Sequence, residues 1–155
     1  MKKNTGKALE RLIEKQSAFY KNRGLMYLEK VDPPTRTYNT KFGKQTTLLA
    51  NPFPDFIGCT SNGIMICIEA KSNQLQSLPF GKNGLRTKQI EDLYTWRRFG
   101  AIVGVIWQNP NGYFWVDLEC IKKSISLGRK SIPEDIAEKI DTGSGNLLNF
   151  HKFIL

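Results

Sequence analysis

The stretch from Asn51 to Lys71 constrains the fold of this chain more than any other, because it holds two apolar runs separated by an Asn-Gly turn. In the second run, residues 64–71, isoleucine or alanine occupies every other position. Successive side chains of a β-strand face opposite sides. The pattern therefore predicts a β-hairpin in which Glu69 and Lys71 project together from the face opposite the isoleucines.

The partner strand, residues 53–60, carries Asp55, and the turn decides which residue Asp55 faces. A three-residue loop, residues 61–63, would place Asp55 directly across from Glu69, with its glycine in the left-handed conformation that such loops favour. A two-residue Asn-Gly loop would set Asp55 across from Ala70, on the wrong face. We expect the three-residue loop.

Two carboxylates at cross-strand distance repel each other unless a cation lies between them. Mg²⁺ prefers oxygen ligands and combines one or two carboxylates with waters and a substrate phosphate. Lys71, two residues after Glu69, could hold or help deprotonate the attacking water. This combination is typical of phosphodiester cleavage. A Glu-x-Lys tripeptide also occurs by chance on exposed strands, so the hairpin context carries the interpretation.

The formal net charge is +9, and the placement of the charges is more informative than their total. Between Pro33 and Ile90 the only acidic residues are Asp55 and Glu69. The same span holds seven bases: Arg36, Lys41, Lys44, Lys71, Lys82, Arg86 and Lys88. Such a field attracts phosphate backbones. A solvated basic surface is the alternative, but the acids within this field are the two that the metal site requires.

Length and composition fit a single domain, residues 1–155, with a sizeable core, since 40% of the 155 residues are hydrophobic. No apolar run approaches the roughly 20 residues of a membrane span, and no apolar signal segment follows the lysine-rich start. The three cysteines lack metal-ligand spacing, so we expect reduced thiols and a cytoplasmic location without membrane association. A single histidine, His151, argues against His-rich metal sites and a Ser-His-Asp triad.

Helical periodicity predicts two helices that contribute candidate site residues. The first runs from Thr5 to about Arg23, and Glu10 lies on the shoulder of its apolar stripe, where a side chain can face a cleft at the edge of the core. The second covers about residues 87–99. Gln89, in its first turn, could hydrogen-bond the attacking water or a phosphate. A plain solvent-facing position is the alternative for both side chains.

The other segments complete an alternation of strands and helices. Strands are predicted at residues 25–31, 101–108 and 113–116, and Asp117 caps a short helix through about residue 125. A capping box that begins at Ser131 predicts a last helix to about Ile140. The apolar tail, residues 146–155, must be buried on this subunit's sheet or on another subunit's.

Residues 33–52 form an insert that begins with two prolines, which cannot continue a strand ladder. Within it, residues 35–50 contain three bases, no acids and many β-forming residues. Structureless loops of this length are uncommon unless they have a function. We expect a protruding hairpin or flexible arm that contacts DNA. Tyr38 and Phe42 could stack on unpaired bases or pack the base of the arm.

Pro54-Asp55 followed by Glu69-Ala70-Lys71 resembles the signature of the PD-(D/E)xK nucleases. Within that superfamily, the chain is similar to the RecU-type and archaeal Hjc-type Holliday junction resolvases over about residues 4–125. The flanking matches are Gly6-Lys7-Ala8-Leu9-Glu10, the insert after Val31-Asp32, Leu78-Pro79-Phe80 and Lys88-Gln89-Ile90. Residues after about 127 match nothing in these families.

The resemblance implies an α/β, restriction-endonuclease-like fold, in which helices flank a mixed central sheet. It also implies a Mg²⁺-dependent endonuclease, with Mn²⁺ able to substitute, that resolves four-way junctions. The metal ligands would be Asp55, Glu69, the backbone carbonyl of Ala70 and, as an outer ligand or orienter, Glu10. Lys71 would position the water or stabilise developing charge, and Gln89 would bind the water or a phosphate.

The candidate phosphate contacts are Arg36, Lys41, Lys44, Lys82, Arg86 and Lys88. Recognition by junction shape and backbone charge, rather than by base edges, is expected. Both opposed strands of a junction must be cut, which favours a two-fold homodimer. In RecU-like proteins the comparable insert is a stalk that enters the junction centre, and this one is shorter.

Two other functions fit the same residues. A flap-cutting or restriction-type nuclease of the same superfamily would share the acidic hairpin and the helix-opening glutamine. A basic DNA-binding module without catalysis would keep its function when Asp55 is replaced by asparagine, whereas a nuclease would lose cutting and retain binding.

Overall fold

The structure is a computed structural model that describes residues 5–144 and 147–155, with side chains described from residue 6. The elements in chain order are α1 (Thr5–Asn22), β1 (Met26–Lys30), β2 (Thr35–Thr40), β3 (Gly43–Leu48), β4 (Phe56–Thr60), β5 (Met65–Ser72), β6 (Ser77–Pro79), α2 (Thr87–Arg98), β7 (Ile102–Asn109), β8 (Gly112–Val116), α3 (Leu118–Ser126), β9 (Ser131–Pro133), β10 (Glu138–Ile140), β11 (Thr142–Gly143) and β12 (Leu147–Leu148). Two 3-10 turns lie at Glu134–Ile136 and His151–Phe153.

In the described part of the chain, six strands form the central sheet in the order β1-β4-β5-β7-β8-β10. The β5–β7 pair is parallel, and the other neighbours are antiparallel. Helix α1 packs on one face, and α2 and α3 pack on the other. The predicted α/β architecture, a mixed sheet flanked by helices, is confirmed.

Each face of the sheet has its own apolar cluster. The α1 face includes Leu9, Ile13, Leu28, Phe56, Ile66, Ile68, Ile106 and Trp115. The opposite face includes Cys67, Leu85, Leu93, Val105, Trp107, Val116, Ile121 and Ile132. Isoleucines of β5 therefore face α1, and the alternate β5 residues face α2, as the sequence pattern predicts.

The predicted register of the β4–β5 hairpin is confirmed. Phe56 pairs with Ile68, and the ladder continues with the same offset to Cys59 and Met65. Gly63 has a φ of +79°, in the left-handed region, which the three-residue loop requires. This offset places Asp55, one residue before β4, opposite Glu69.

The predicted last helix is wrong, because residues 131–140 form two short strands around a 3-10 turn. The capping-box sequence at Ser131 does not begin a helix: Ile132 is buried on the α2 face, whereas Ile140 is buried on the α1 face. One helix could not place both on opposite faces of a sheet. The Glu134 carboxylate, expected to cap that helix, instead accepts hydrogen bonds from the side-chain amides of Asn109 and Asn111.

The apolar tail packs on its own subunit, which decides between the two alternatives for residues 147–155. Phe150 and Ile154 are buried in the α1-face cluster. The Tyr20 hydroxyl donates to the Leu148 carbonyl at 3.1 Å and accepts from the His151 backbone N–H at 3.2 Å. Residues 145–146 and the predicted capping side chain of Thr5 lie outside what the structure describes.

The three cysteines are free thiols. Among the described helices, none has the length and apolar character needed to cross a membrane.

Candidate active site

Glu69 and Asp55 face each other across the β4–β5 pair. Glu69 is only 3% exposed. Asp55 is half-buried, and its Oδ2 accepts a hydrogen bond from the Ala70 backbone N–H at 2.9 Å. The Asp55 carbonyl accepts from the Val31 N–H at 2.8 Å, which anchors the residue to the end of β1. Backbone pairing on both sides therefore fixes the position of this carboxylate.

Gln89 connects Glu69 to helix α2. Its Nε2 donates to Glu69 Oε2 at 2.8 Å, and its Oε1 accepts from the Arg86 N–H at 3.1 Å. The amide orientation follows from chemistry, because the nitrogen must face the carboxylate and the oxygen must face the N–H donor. This contact orients the buried carboxylate, and the expected contact of Gln89 with water or a phosphate stays a prediction.

The pKa of Glu69 is raised to about 9, chiefly because burial disfavours the charged carboxylate, and further by the charge and hydrogen bond of Asp55. The Asp92 charge adds to this effect, and the Lys71 ammonium opposes it. A carboxyl pair in this state holds a proton that a cation can displace. The electrostatics of the pair therefore favour a positive charge between the two side chains.

Lys71 lies two residues beyond Glu69 on the same face of β5. It is half-buried and pairs in register with Trp107 of β7, a fully buried residue. Its position therefore brings an ammonium group to the carboxylate pair from the same face of one strand, as the sequence predicts.

The donor set fits a divalent cation that prefers oxygen. Two facing carboxylates lie beside the backbone of Ala70, and such a cation takes waters and substrate phosphate as its other ligands. Within residues 5–144 and 147–155, no group of three or more His, Cys, Asp or Glu side chains is arranged to hold a metal ion. The protein ligands would thus be the carboxylate pair, with the Ala70 carbonyl as a predicted third ligand.

Glu10 is not gathered with the other two acids. Its Oε2 pairs with the Lys30 ammonium at 2.9 Å, and Lys30 also contacts Asp32 at 3.4 Å. The hydrogen bond that Lys30 donates to Glu10 is the main cause of the raised pKa of Lys30. Lys30 follows Leu28 on the α1 face, whereas Glu69 faces α2. The role of Glu10 as an outer metal ligand stays a prediction.

A known family profile covers nearly all of this sequence. The sequence profile of RecU, Recombination protein U, matches residues 4–154, nearly the whole chain. The expectation that residues after about 127 match nothing in the family is therefore wrong. The chain belongs to the RecU family. A search of curated proteins found no match.

Solved structures relate this RecU-family chain to a known fold. Archaeoglobus fulgidus Hjc, a Holliday junction resolvase from an archaeal hyperthermophile, matches with a TM-score of 0.53 at 17% identity, over 84% of this chain and 94% of that one. The fold is therefore the restriction-endonuclease-like fold of Hjc. The structure of SSO0001 matches at 16% identity over 76% of this chain and 57% of its own, with a TM-score of 0.34, which carries no argument.

One charged residue beside the site of this RecU-family chain was not found from the sequence. The charge of Asp92 raises the pKa of Glu69, and its carboxylate forms an ion pair with the Lys88 ammonium at 2.9 Å. Asp92 follows Gln89 by three residues, so the helical spacing could have placed both on one face.

The segment between Lys71 and α2 is more ordered than its polar composition indicates. Strand β6 pairs with β9, and the Leu85 N–H donates to the Pro79 carbonyl at 2.8 Å, which closes a tight loop. Lys82 lies in this loop and Arg86 just after it, both exposed. The predicted phosphate contacts thus lie on a structured surface that leads into the first turn of α2.

The predicted hairpin in residues 33–52 is present as a separate two-stranded sheet, β2–β3, which we call the arm. Its residues are exposed except Thr40, which is half-buried. Phe42 lies in the turn and is 96% exposed, so it does not pack the base of the arm. Tyr38 accepts a hydrogen bond from Thr47 within the hairpin. Contact between the arm and DNA stays a prediction.

Proposed function

We propose that this RecU-family chain is an endonuclease that resolves four-way DNA junctions by hydrolysing phosphodiester bonds, with Mg²⁺ as its cofactor and Mn²⁺ able to substitute. The observation that carries the proposal is the buried carboxylate pair of Asp55 and Glu69, with Lys71 beside it on the same face. Few other chemistries need a buried acid pair within a basic surface.

In this proposal, different side chains bind the cation, orient the Glu69 carboxylate and stabilise negative charge. Asp55 and Glu69 hold the cation, which when bound polarises the phosphate and activates water. Gln89 fixes the orientation of the Glu69 carboxylate through its 2.8 Å hydrogen bond. Lys71 holds the attacking water or stabilises the negative charge that develops on the phosphate. The Ala70 N–H holds Asp55 in place.

Binding uses charge and shape. Arg36, Lys41 and Lys44 of the arm are exposed, as are Lys82, Arg86 and Lys88 near the site, so both groups can reach phosphates. Phe42, at the end of the arm, stacks on bases that are unpaired at the branch point. Two opposed strands must be cut at a junction, so the active unit is a homodimer with two-fold symmetry.

The test is cleavage of three substrates with the same sequences: a four-way junction, a flap and a plain duplex, each with Mg²⁺, Mn²⁺ or EDTA. We expect metal-dependent, paired cuts in the junction and slow cutting of the other two. Equal rates on all three would mean a different nuclease specificity. Tight binding without cutting under any condition would mean a DNA-binding module.

A further inference from the structure

Residues 120–133 form a second basic segment that the family resemblance leaves without a role. This span contains four bases and no acids, and the bases are all exposed: Lys122, Lys123, Arg129 and Lys130. Among the described residues, none of the four forms an ion pair. Repulsion between like charges destabilises a compact chain. An anion bound by these four bases would offset that repulsion.

The backbone of this segment is fixed on both sides. Helix α3 ends with Gly128 at a φ of +68°, and the Arg129 N–H donates to the Ser124 carbonyl at 3.0 Å. The Lys130 carbonyl accepts from the Phe80 N–H at 3.0 Å, and Ser131 then pairs with Pro79. Arg129 and Lys130 thus occupy an ordered connection between α3 and β9.

The hydrogen bond between Phe80 and Lys130 joins this segment to the basic surface near the active site. Phe80 lies two residues before Lys82, in the loop that leads to Arg86 and the first turn of α2. The same turn carries Gln89, which holds Glu69. Residues 80–89 are therefore hydrogen-bonded at one end to Lys130 and at the other end, through Gln89, to Glu69.

The helix dipole is the structural alternative, because bases near a helix C-terminus gain about 0.3–1 kcal/mol each. It can account for Lys123, which lies in the last turn of α3. It gives no reason for Lys130, which precedes β9 and whose carbonyl accepts from the Phe80 N–H, two residues before Lys82. A phosphate backbone that crosses these two joined segments would contact exposed bases on both.

We propose that Arg129 and Lys130 bind the phosphodiester backbone of the duplex arm that leaves the active site over the β6–β9 pair. The inference rests on the proposed function, since it extends the DNA surface of that nuclease. The ligand is the phosphate backbone, so binding is independent of sequence and sensitive to salt.

The experiment measures junction binding by the full chain in EDTA, over a salt range of about 50 to 200 mM. We expect Arg129→Gln/Lys130→Gln to weaken binding about five- to tenfold and to reduce the slope of log affinity against log salt by about 2, since each phosphate contact contributes roughly 0.9. Junction turnover at saturating DNA should match the unmodified chain. The matched control, Arg98→Gln/Lys139→Gln, removes the same charge elsewhere and should change the slope much less.

A slope change no larger than in the control would overturn the inference, as would lost turnover at saturating DNA. The charge-conserving Arg129→Lys/Lys130→Arg variant should keep the full slope, and its failure to do so would also count against backbone binding. If the glutamine double variant does not fold, Lys130→Gln alone should reduce the slope by about 1. A junction that stays bound but uncut with Mg²⁺ or Mn²⁺ would refute the proposed function, whereas the binding measurement in EDTA, where no cutting is expected, would still test this inference.

Discussion

The chain contains two hairpins of similar local design in opposite surroundings. Both β4–β5 and the arm are antiparallel, with a positive-φ glycine at the turn, Gly63 in one and Gly43 in the other. Strand β5 lies inside the central sheet between β4 and β7, and its middle residues are fully buried. The arm forms its own sheet, and its side chains are exposed.

The difference in burial suits the two hairpins to different roles, catalysis for β4–β5 and DNA binding for the arm. The core fixes the carboxylate pair, because residues 66–68 of β5 pair with both β4 and β7, Glu69 continues the ladder with β7, and both faces of the strand are packed. The arm pairs only within its own two-stranded sheet and has no such support among the described residues. Substitutions in the β4–β5 hairpin should therefore affect turnover, and substitutions in the arm should affect binding.

The largest expected effect is that of Asp55→Asn. Loss of one of two metal-binding charges should lower junction turnover by about 10³-fold, the order seen when a charge-stabilising group is removed. Junction binding should stay the same or tighten, because a repulsion from DNA is removed. Single-turnover cleavage and a binding titration would measure the two effects. Asp135→Asn, the same change at an exposed site, should be neutral, and full activity of Asp55→Asn would contradict the metal role.

Lys71→Ala should bind junctions normally but cut about 10²-fold more slowly, the lower range for loss of a group that assists proton transfer. The loss should appear in single-turnover rates at saturating DNA. The control Lys139→Ala, which changes an exposed lysine of β10, should retain the normal rate. An equal loss of binding and rate in Lys71→Ala would identify a DNA contact instead.

For the arm, the expected effect is on affinity. Neutralising Arg36, Lys41 and Lys44 together to glutamine should weaken junction binding about tenfold or more and lower the salt slope by up to about 3. Turnover at saturating DNA should be unchanged, because the core hairpin is intact. The control neutralises Arg23, Arg98 and Lys139. An unchanged slope in the arm variant would remove the arm from the DNA surface.

The two hairpins also show how far sequence reasoning reaches. Alternation and a three-residue loop that ends at Gly63 predicted the β4–β5 register, because local pattern and buried environment agree there. The arm was predicted from its β-forming composition and from the prolines before it. The prediction of a last helix was wrong because β9 pairs with β6 and β10 pairs with β8, and this tertiary pairing overrode the capping-box sequence at Ser131. The Glu10–Lys30 pair depends on how α1 lies on β1, which no local pattern encodes.

The buried acid should also make stability depend on pH. Burial raises the pKa of Glu69 to about 9 in the folded chain, above its ordinary value of 4.5. The stabilisation of the protonated form is complete below that ordinary value and is lost as pH rises toward the folded pKa. In EDTA, the free energy of unfolding should therefore fall between about pH 5 and 9, by at most ~1.4 kcal/mol per pH unit.

Denaturant titrations at several pH values would measure this dependence. Glu69→Gln should flatten it, since glutamine has no proton to lose, and the exposed Glu14→Gln control should leave it unchanged. Mg²⁺ should restore stability at high pH, because it takes the place of the proton. An unaltered pH dependence in Glu69→Gln would assign the effect to another group.

The smallest expected effect contrasts the two turn glycines directly. Neither would meet another atom within 4 Å if it carried a Cβ, so alanine adds only backbone strain, of about 1 kcal/mol. In Gly63→Ala that strain falls on the core, and the melting midpoint should drop by about 2–4 °C. In Gly43→Ala it falls on the arm, which can open locally, so the midpoint should stay nearly constant while arm amides exchange faster. Equal midpoint shifts would mean that the arm unfolds together with the core. The two hairpins would then form one cooperative unit, contrary to the contrast drawn from their burial.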